Sequence, residues 1–150
     1  MTTFAEAFSD MNQAIYVPWQ AQAAAAAGSP DVPALRFDGV EVGELPLAHK
    51  AWGRVVIRHH AGTQKSLGKK GVGRKFERSG LLTVQCFGPI VNQQGLAIAH
   101  GLAIICRNAV EGVATPNSVW FRDVAIKEAG LNEPWYLVNM VASFNYDDYR

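Results

Sequence analysis

Apolar and polar positions along this chain keep two rhythms, one of three to four residues and one of two. Phe4, Phe8, Met11 and Ile15 recur at steps of four, three and four, which is one stripe of an amphipathic helix. Thr3 followed by Glu6 is a capping box, in which hydroxyl and carboxylate each satisfy an orphan backbone donor. Pro18 either interrupts this helix or opens a second one as its first residue. The alanine run 23–27 favours helix, and Gly28-Ser29-Pro30 stops it. Residues 1–27 are therefore predicted to form amino-terminal helices.

Residues 28–51 are loop-rich, with Pro30, Pro33, Gly39, Gly43 and Pro46 around one short strand candidate at 35–37. The rhythm of two then begins. Over 52–60, Val55 and Ile57 point one way while Arg54 and Arg58 point the other. A second strand over about 75–87 puts Leu82, Val84 and Cys86 on one face. The two strands and their glycine- and lysine-rich connection, 62–73, predict a hairpin with an extended tip. A central helix over about 92–111 carries Ile98, Leu102, Ile105 and Ala109 as its core stripe, with Cys106 and Val113 beside it. His100, Arg107 and Glu111 mark its wetter side, Gly112 suits the C-cap, and Pro116 prevents continuation. Strands over 119–127 and 135–146 follow, joined by a turn containing Gly130, Asn132 and Pro134. In the last strand Tyr136, Val138, Met140, Ala142, Phe144 and Tyr146 share one face. The predicted fold is one α+β domain over 1–150, a mostly antiparallel sheet with helices packed on it, in the order helix, strand, strand, helix, strand, strand.

At 150 residues, 49% hydrophobic and 18% charged, the chain suits one globular core rather than a disordered segment. The formal charge of +1 makes the whole molecule no magnet for nucleic acid or membrane, so any such attraction comes from a local patch. Cys86 and Cys106 read as small core residues and supply neither a disulfide framework nor a zinc motif. The start of the chain lacks the pattern of a secretory signal, and the longest apolar stretch, 96–106, is broken by His100 and Gly101 and too short to span a bilayer. Synthesis in a reducing cytoplasm is the expectation.

Little in the sequence points to catalysis, a cofactor or a metal. His59 and His60 are neighbours on a strand, so their side chains leave opposite faces and cannot hold one metal together. His49 and His100 stand without ligand spacing. The glycine-lysine run at 68–73 lacks the four-residue gap, the hydroxyl and the following helix of a phosphate-binding loop. Ser66 and Ser79 lack a nucleophile elbow. Asp147 and Asp148 read as a solvated chain end.

One charge cluster stands out: Lys65, Lys69, Lys70, Arg74, Lys75 and Arg78, relieved only by Glu77. It reads either as a solvated loop or as a basic arm that orders against an acidic partner or a phosphate backbone. No aromatic residue lies within the connection, so base stacking is weakly supported.

The stretches Trp52-Gly53-Arg54-Val55-Val56-Ile57-Arg58-His59, Gly73-Arg74-Lys75-Phe76-Glu77-Arg78-Ser79-Gly80-Leu81-Leu82, Ser118-Val119-Trp120-Phe121-Arg122-Asp123-Val124, Pro134-Trp135-Tyr136 and Phe144-Asn145-Tyr146-Asp147, in this order and spacing, resemble a family of small tailed-bacteriophage proteins. That family, often labelled only as a phage domain of unknown function, is similar to phage tail terminators. The first fifty residues match it less well. The resemblance implies a structural, non-enzymatic virion protein of the neck, made in the host cytoplasm. Its subunits would form a homo-oligomeric, hexameric ring that caps the tail tube protein and meets a head-completion or connector protein. DNA would pass through the lumen without sequence-specific binding. The alternatives are another neck or tail tube protein, or a nucleic-acid binding module using the basic hairpin arm.

Overall fold

The computed structural model describes residues 2–40, 43–65 and 74–149. Among these the chain forms two α-helices and five strands: α1 (Phe4–Ala27), β1 (Ala34–Phe37), β2 (Trp52–Gln64), β3 (Lys75–Pro89), α2 (Gly95–Val110), β4 (Trp120–Asn132) and β5 (Trp135–Tyr149). The strands make a single sheet in the order β1-β2-β3-β5-β4, antiparallel except for β1, which runs parallel to β2. The α+β class follows the sequence pattern. The order differs from the predicted one by β1, which lies inside the region read as loop-rich and adds a short edge strand.

The amino-terminal region differs more. α1 is one continuous helix with Pro18 inside it, not a helix broken or restarted there. Its capping box forms as predicted: the Glu6 N–H donates to Thr3 Oγ1 at 3.2 Å, and the Thr3 N–H donates to Glu6 Oε2 at 2.8 Å. Gly28 closes the other end in the left-handed region at φ 62°. The buried stripe, however, is Ala7, Met11, Ile15, Trp19 and Ala23, so Phe8 is only half-buried and Phe4 is 60% exposed. Alanines at the two ends of this stripe flank three large side chains, Met11, Ile15 and Trp19, that fill the core. The Trp19 indole passes under β2, where a Cβ on Gly53 would sit 2.6 Å from the ring, and its Nε1–H donates to the Pro33 carbonyl at 2.8 Å.

The rhythm of two in β3 and β5 places Leu82, Val84 and Cys86 opposite Ala142, Met140 and Val138, all of them fully buried. The two helices cover this face, and Ile98, Leu102, Ile105 and Cys106 of α2 complete the core. Val113, expected beside that stripe, is exposed, because α2 ends at Val110 and Gly112 turns the chain away at φ 72°. Cys86 and Cys106 are both buried and free. The fold makes them neighbours, and burial, then the Cys106 thiol, raise the Cys86 pKa well above its usual value.

Among the described residues the opposite face of the sheet carries no helix. Trp52, Phe87 and Trp135 form a separate aromatic cluster at one end of it, with Trp52 and Phe87 stacked at 4.1 Å between centroids. No helix among the described residues is long and apolar enough to cross a membrane.

Candidate functional site

The basic hairpin predicted from the sequence is built by β2 and β3, whose pairing continues to Gln64 and Phe76. β5 follows β3 as far as Lys75 opposite Tyr149. The root of the arm is therefore three-stranded, and the third strand brings acids to it. Lys65 Nζ lies 3.7 Å from Glu77, Lys75 Nζ 2.9 Å from Asp147, and Arg78 Nη2 3.4 Å from Asp148. Arg78 also lies over the Phe76 ring at 5.4 Å. Arg74 directly precedes β3, half-buried. Lys69 and Lys70, with Ser66 and the 68–73 run, fall outside the described residues. Asp147 and Asp148, expected to form a solvated end, instead belong to β5 and neutralise the arm. Their part was hidden because the pairs join positions seventy or so residues apart in sequence.

Where the arm meets the domain, an open groove of about 440 Å³ is lined by Phe4, His59, His60, Arg78, Tyr146 and Asp148, among others. His59 and His60 were expected to leave opposite faces of the strand, but both line this groove, because the register shifts between His59 and Ala61 and breaks the alternation of β2 there. The His59 ring packs against Phe4 at 4.9 Å and Phe144 at 5.0 Å, and its Nε2 is 2.9 Å from Tyr146 Oη. Burial, then the positive charge of Arg78 and of His60, lower the His59 pKa. Burial likewise raises that of Tyr146, against the opposing pull of Arg78. Both groups are thereby favoured in their neutral forms, which suits a packed structural contact. Among the described residues no group of three or more His, Cys, Asp or Glu is placed to hold a metal ion.

A second clasp ties α1 to the loop after α2. The Asp10 carboxylate accepts from the Asn117 N–H at 2.8 Å and Nδ2 at 2.9 Å. Burial alone would raise the Asp10 pKa, but hydrogen bonds from Thr115 and Asn117 outweigh it and hold the pKa low. Thr2 donates from its hydroxyl to the Asn117 carbonyl and from its N–H to the Asp147 carbonyl at 3.1 Å.

The sequence reading missed the surface where cations stay unneutralised. Arg54 and Arg58 were seen to share a face of β2, but their cross-strand partners depend on register. The pairing sets Arg36, Arg54, Gln85, Asn139 and Lys127 in one row across all five strands, and Arg58, Leu81, Ser143 and Arg122 in another. Both rows lie on the helix-free face.

A helix-backed, mostly antiparallel sheet of this kind is shared with solved structures over nearly its whole length. One solved chain that carries no functional name matches with a TM-score of 0.57 at 15% identity, over 91% of this chain and 94% of its own. Another, from the virion of a native gene transfer agent particle, matches with a TM-score of 0.52 at 14% identity, over 97% of this chain and 100% of its own. At these identities the likeness is one of fold. No family model matches the chain, and no curated protein does.

Proposed function

We propose that this chain is a structural protein of a phage-like virion, and within that class a tail terminator. Its ring would cap the tail tube and join it to the head. The observation that carries the reading is the end-to-end fold match with a chain of a gene transfer agent virion. It agrees with the sequence resemblance over residues 52–150. The chain acts in this reading by assembly rather than catalysis, as a homo-oligomer of six subunits located in the neck. Its neighbours are the tail tube protein and a head-completion protein.

Ring contacts are heterologous, so each subunit needs two unlike flanks. The molecule has them. Phe8, Tyr16, Phe37 and Val40 line a groove between α1 and β1, while Leu96, His100, Ile104 and Glu128 line one between α2 and β4. The rival reading, a nucleic-acid module using the basic arm, is weakened by the acids that hold Lys65, Lys75 and Arg78.

Light scattering on the purified chain, alone and with purified tail tubes, tests the proposal. A hexamer mass in either condition, stabilised by tubes, is expected. A monomer that stays monomeric and ignores tubes overturns it.

A further inference from the structure

We infer that the helix-free face of the sheet, not the hairpin arm, binds nucleic acid through the phosphate backbone of a duplex. The inference deepens the virion reading by naming the face a subunit turns to DNA, and rests on that reading for why DNA is near.

Arg54 and Arg58 stand on β2, and Arg122 and Lys127 on β4; all four are exposed. Among the described residues Arg122 and Lys127 make no ion pair, Arg54 donates only to the neutral Gln85 amide at 2.7 Å, and Arg58 alone meets an acid, Asp38. Arg36 adds a fifth cation in the Arg54 row, over the Trp52 ring at 5.2 Å. Between the two basic strands the rows hold Leu81, Thr83, Gln85, Asn139, Val141 and Ser143, with no charge among them. Glu128 faces the α2 side, where it lines the groove with Leu96 and His100, and Asp123 sits in a bulge of β4 at φ 53°.

Four residues of strand separate Arg54 from Arg58 by about 13 Å, and three inter-strand steps separate β2 from β4 by about 14 Å. Two basic edges at that distance match the phosphate strands flanking a major groove of about 12 Å. The hydroxyls and amides between them can donate to phosphate and sugar without reading sequence. Among the described residues the rows between the two basic strands hold no aromatic ring for base stacking, and Trp120, 38% exposed, stands only at the β4 edge, which favours duplex over single strand. Three of the arm's four described cations, Lys65, Lys75 and Arg78, already face carboxylates.

The test is fluorescence anisotropy with a labelled 20-base-pair duplex of arbitrary sequence, titrated across salt concentrations. The R54Q/R58Q/R122Q/K127Q variant is compared with a K65Q/K75Q/R78Q arm variant. The four face positions and Lys65 are exposed and Lys75 and Arg78 half-buried, so circular dichroism melts check that both variants fold. The face variant is expected to lose at least tenfold in affinity at low salt. Its log–log salt slope should shrink by about 3 to 4, since each phosphate contact contributes about 0.9. The arm variant should stay within twofold of the wild type. Loss confined to the arm variant, absence of binding by the wild type, or equal binding of polyglutamate would overturn the inference. Masses by light scattering on the same samples separate the two readings. A wild-type ring that ignores DNA sinks this inference alone, and a DNA-binding monomer that ignores tail tubes sinks the terminator reading alone.

Discussion

The two faces of one sheet are made by the same strands, residue by alternate residue, and differ in almost everything else. On the helix-covered side of β3 and β5, Leu82, Val84, Met140 and Ala142 are fully buried. On the other side Thr83, Gln85, Asn139 and Val141 are half-buried and lie between strands carrying arginine and lysine. The first face is where folding free energy concentrates. The second costs little to alter and is free to carry an interaction. A period of two lets one segment serve both ends.

The largest effect that can break this comparison is truncation in the covered face. Met140→Ala should lower stability by about 2–5 kcal/mol, whereas Val141→Ala, one residue on, should cost less than about 1.5 kcal/mol. Denaturant midpoints on the two variants check it, and equal losses would mean the free face is also core. Gly80→Val should come next. A Cβ at Gly80 would meet the Arg58 carbonyl and stand 2.6 Å from the Phe144 ring, so overpacking should cost about 1–3 kcal/mol, read as a lower thermal midpoint.

A smaller effect sharpens the comparison at its margin, where the arm joins the covered face. Because folding lowers the His59 pKa from 6.5, the unfolded chain binds more protons just below that pH. The His59 contribution to stability should be complete above about pH 6.5 and fall as pH drops through the window beneath it. Asp10, lowered from 3.8, acts in a separate window: its contribution is present above that value and lost as pH falls below it. Denaturation curves from pH 7.5 to 5 should show the first decline, and His59→Gln should flatten it. The smallest effect belongs to the arm's ion pairs. Lys75→Gln breaks the contact with Asp147, but as a partly solvated pair it should cost no more than about 1 kcal/mol. A larger loss would make the arm a stabilising element rather than an appendage.

How much of this was legible depends on whether a pattern is local. β3, β5 and α2 announce themselves because their buried residues are large, apolar and regularly spaced. In α1 Met11 and Ile15 are buried as expected, but Ala7, Trp19 and Ala23 complete the stripe, while Phe4, an apolar residue, lies outside it against Phe8 and His59. Nothing local marks Pro18 as tolerable inside a helix. β1 was read only as a three-residue possibility in a proline-rich loop, since a parallel edge strand depends on what lies beside it. The candidate surfaces were the least legible part. Whether a lysine is neutralised or an arginine left bare is settled by register between strands far apart in sequence: in the basic run Lys65, Lys75 and Arg78 face carboxylates, while among the described residues Arg122 and Lys127 make no ion pair.

The strand order has a consequence for how the molecule is made. β5 is last in chain order yet lies inside the sheet, between β3 and β4. While the chain emerges from the ribosome, one edge of β3 and one of β4 must wait unpaired, and Leu82 and Val84 keep only part of their cover. Unpaired strand edges are templates for other chains. Nascent copies crowded on one message are therefore adhesive until the fifteen-residue β5 is free to pair between β3 and β4.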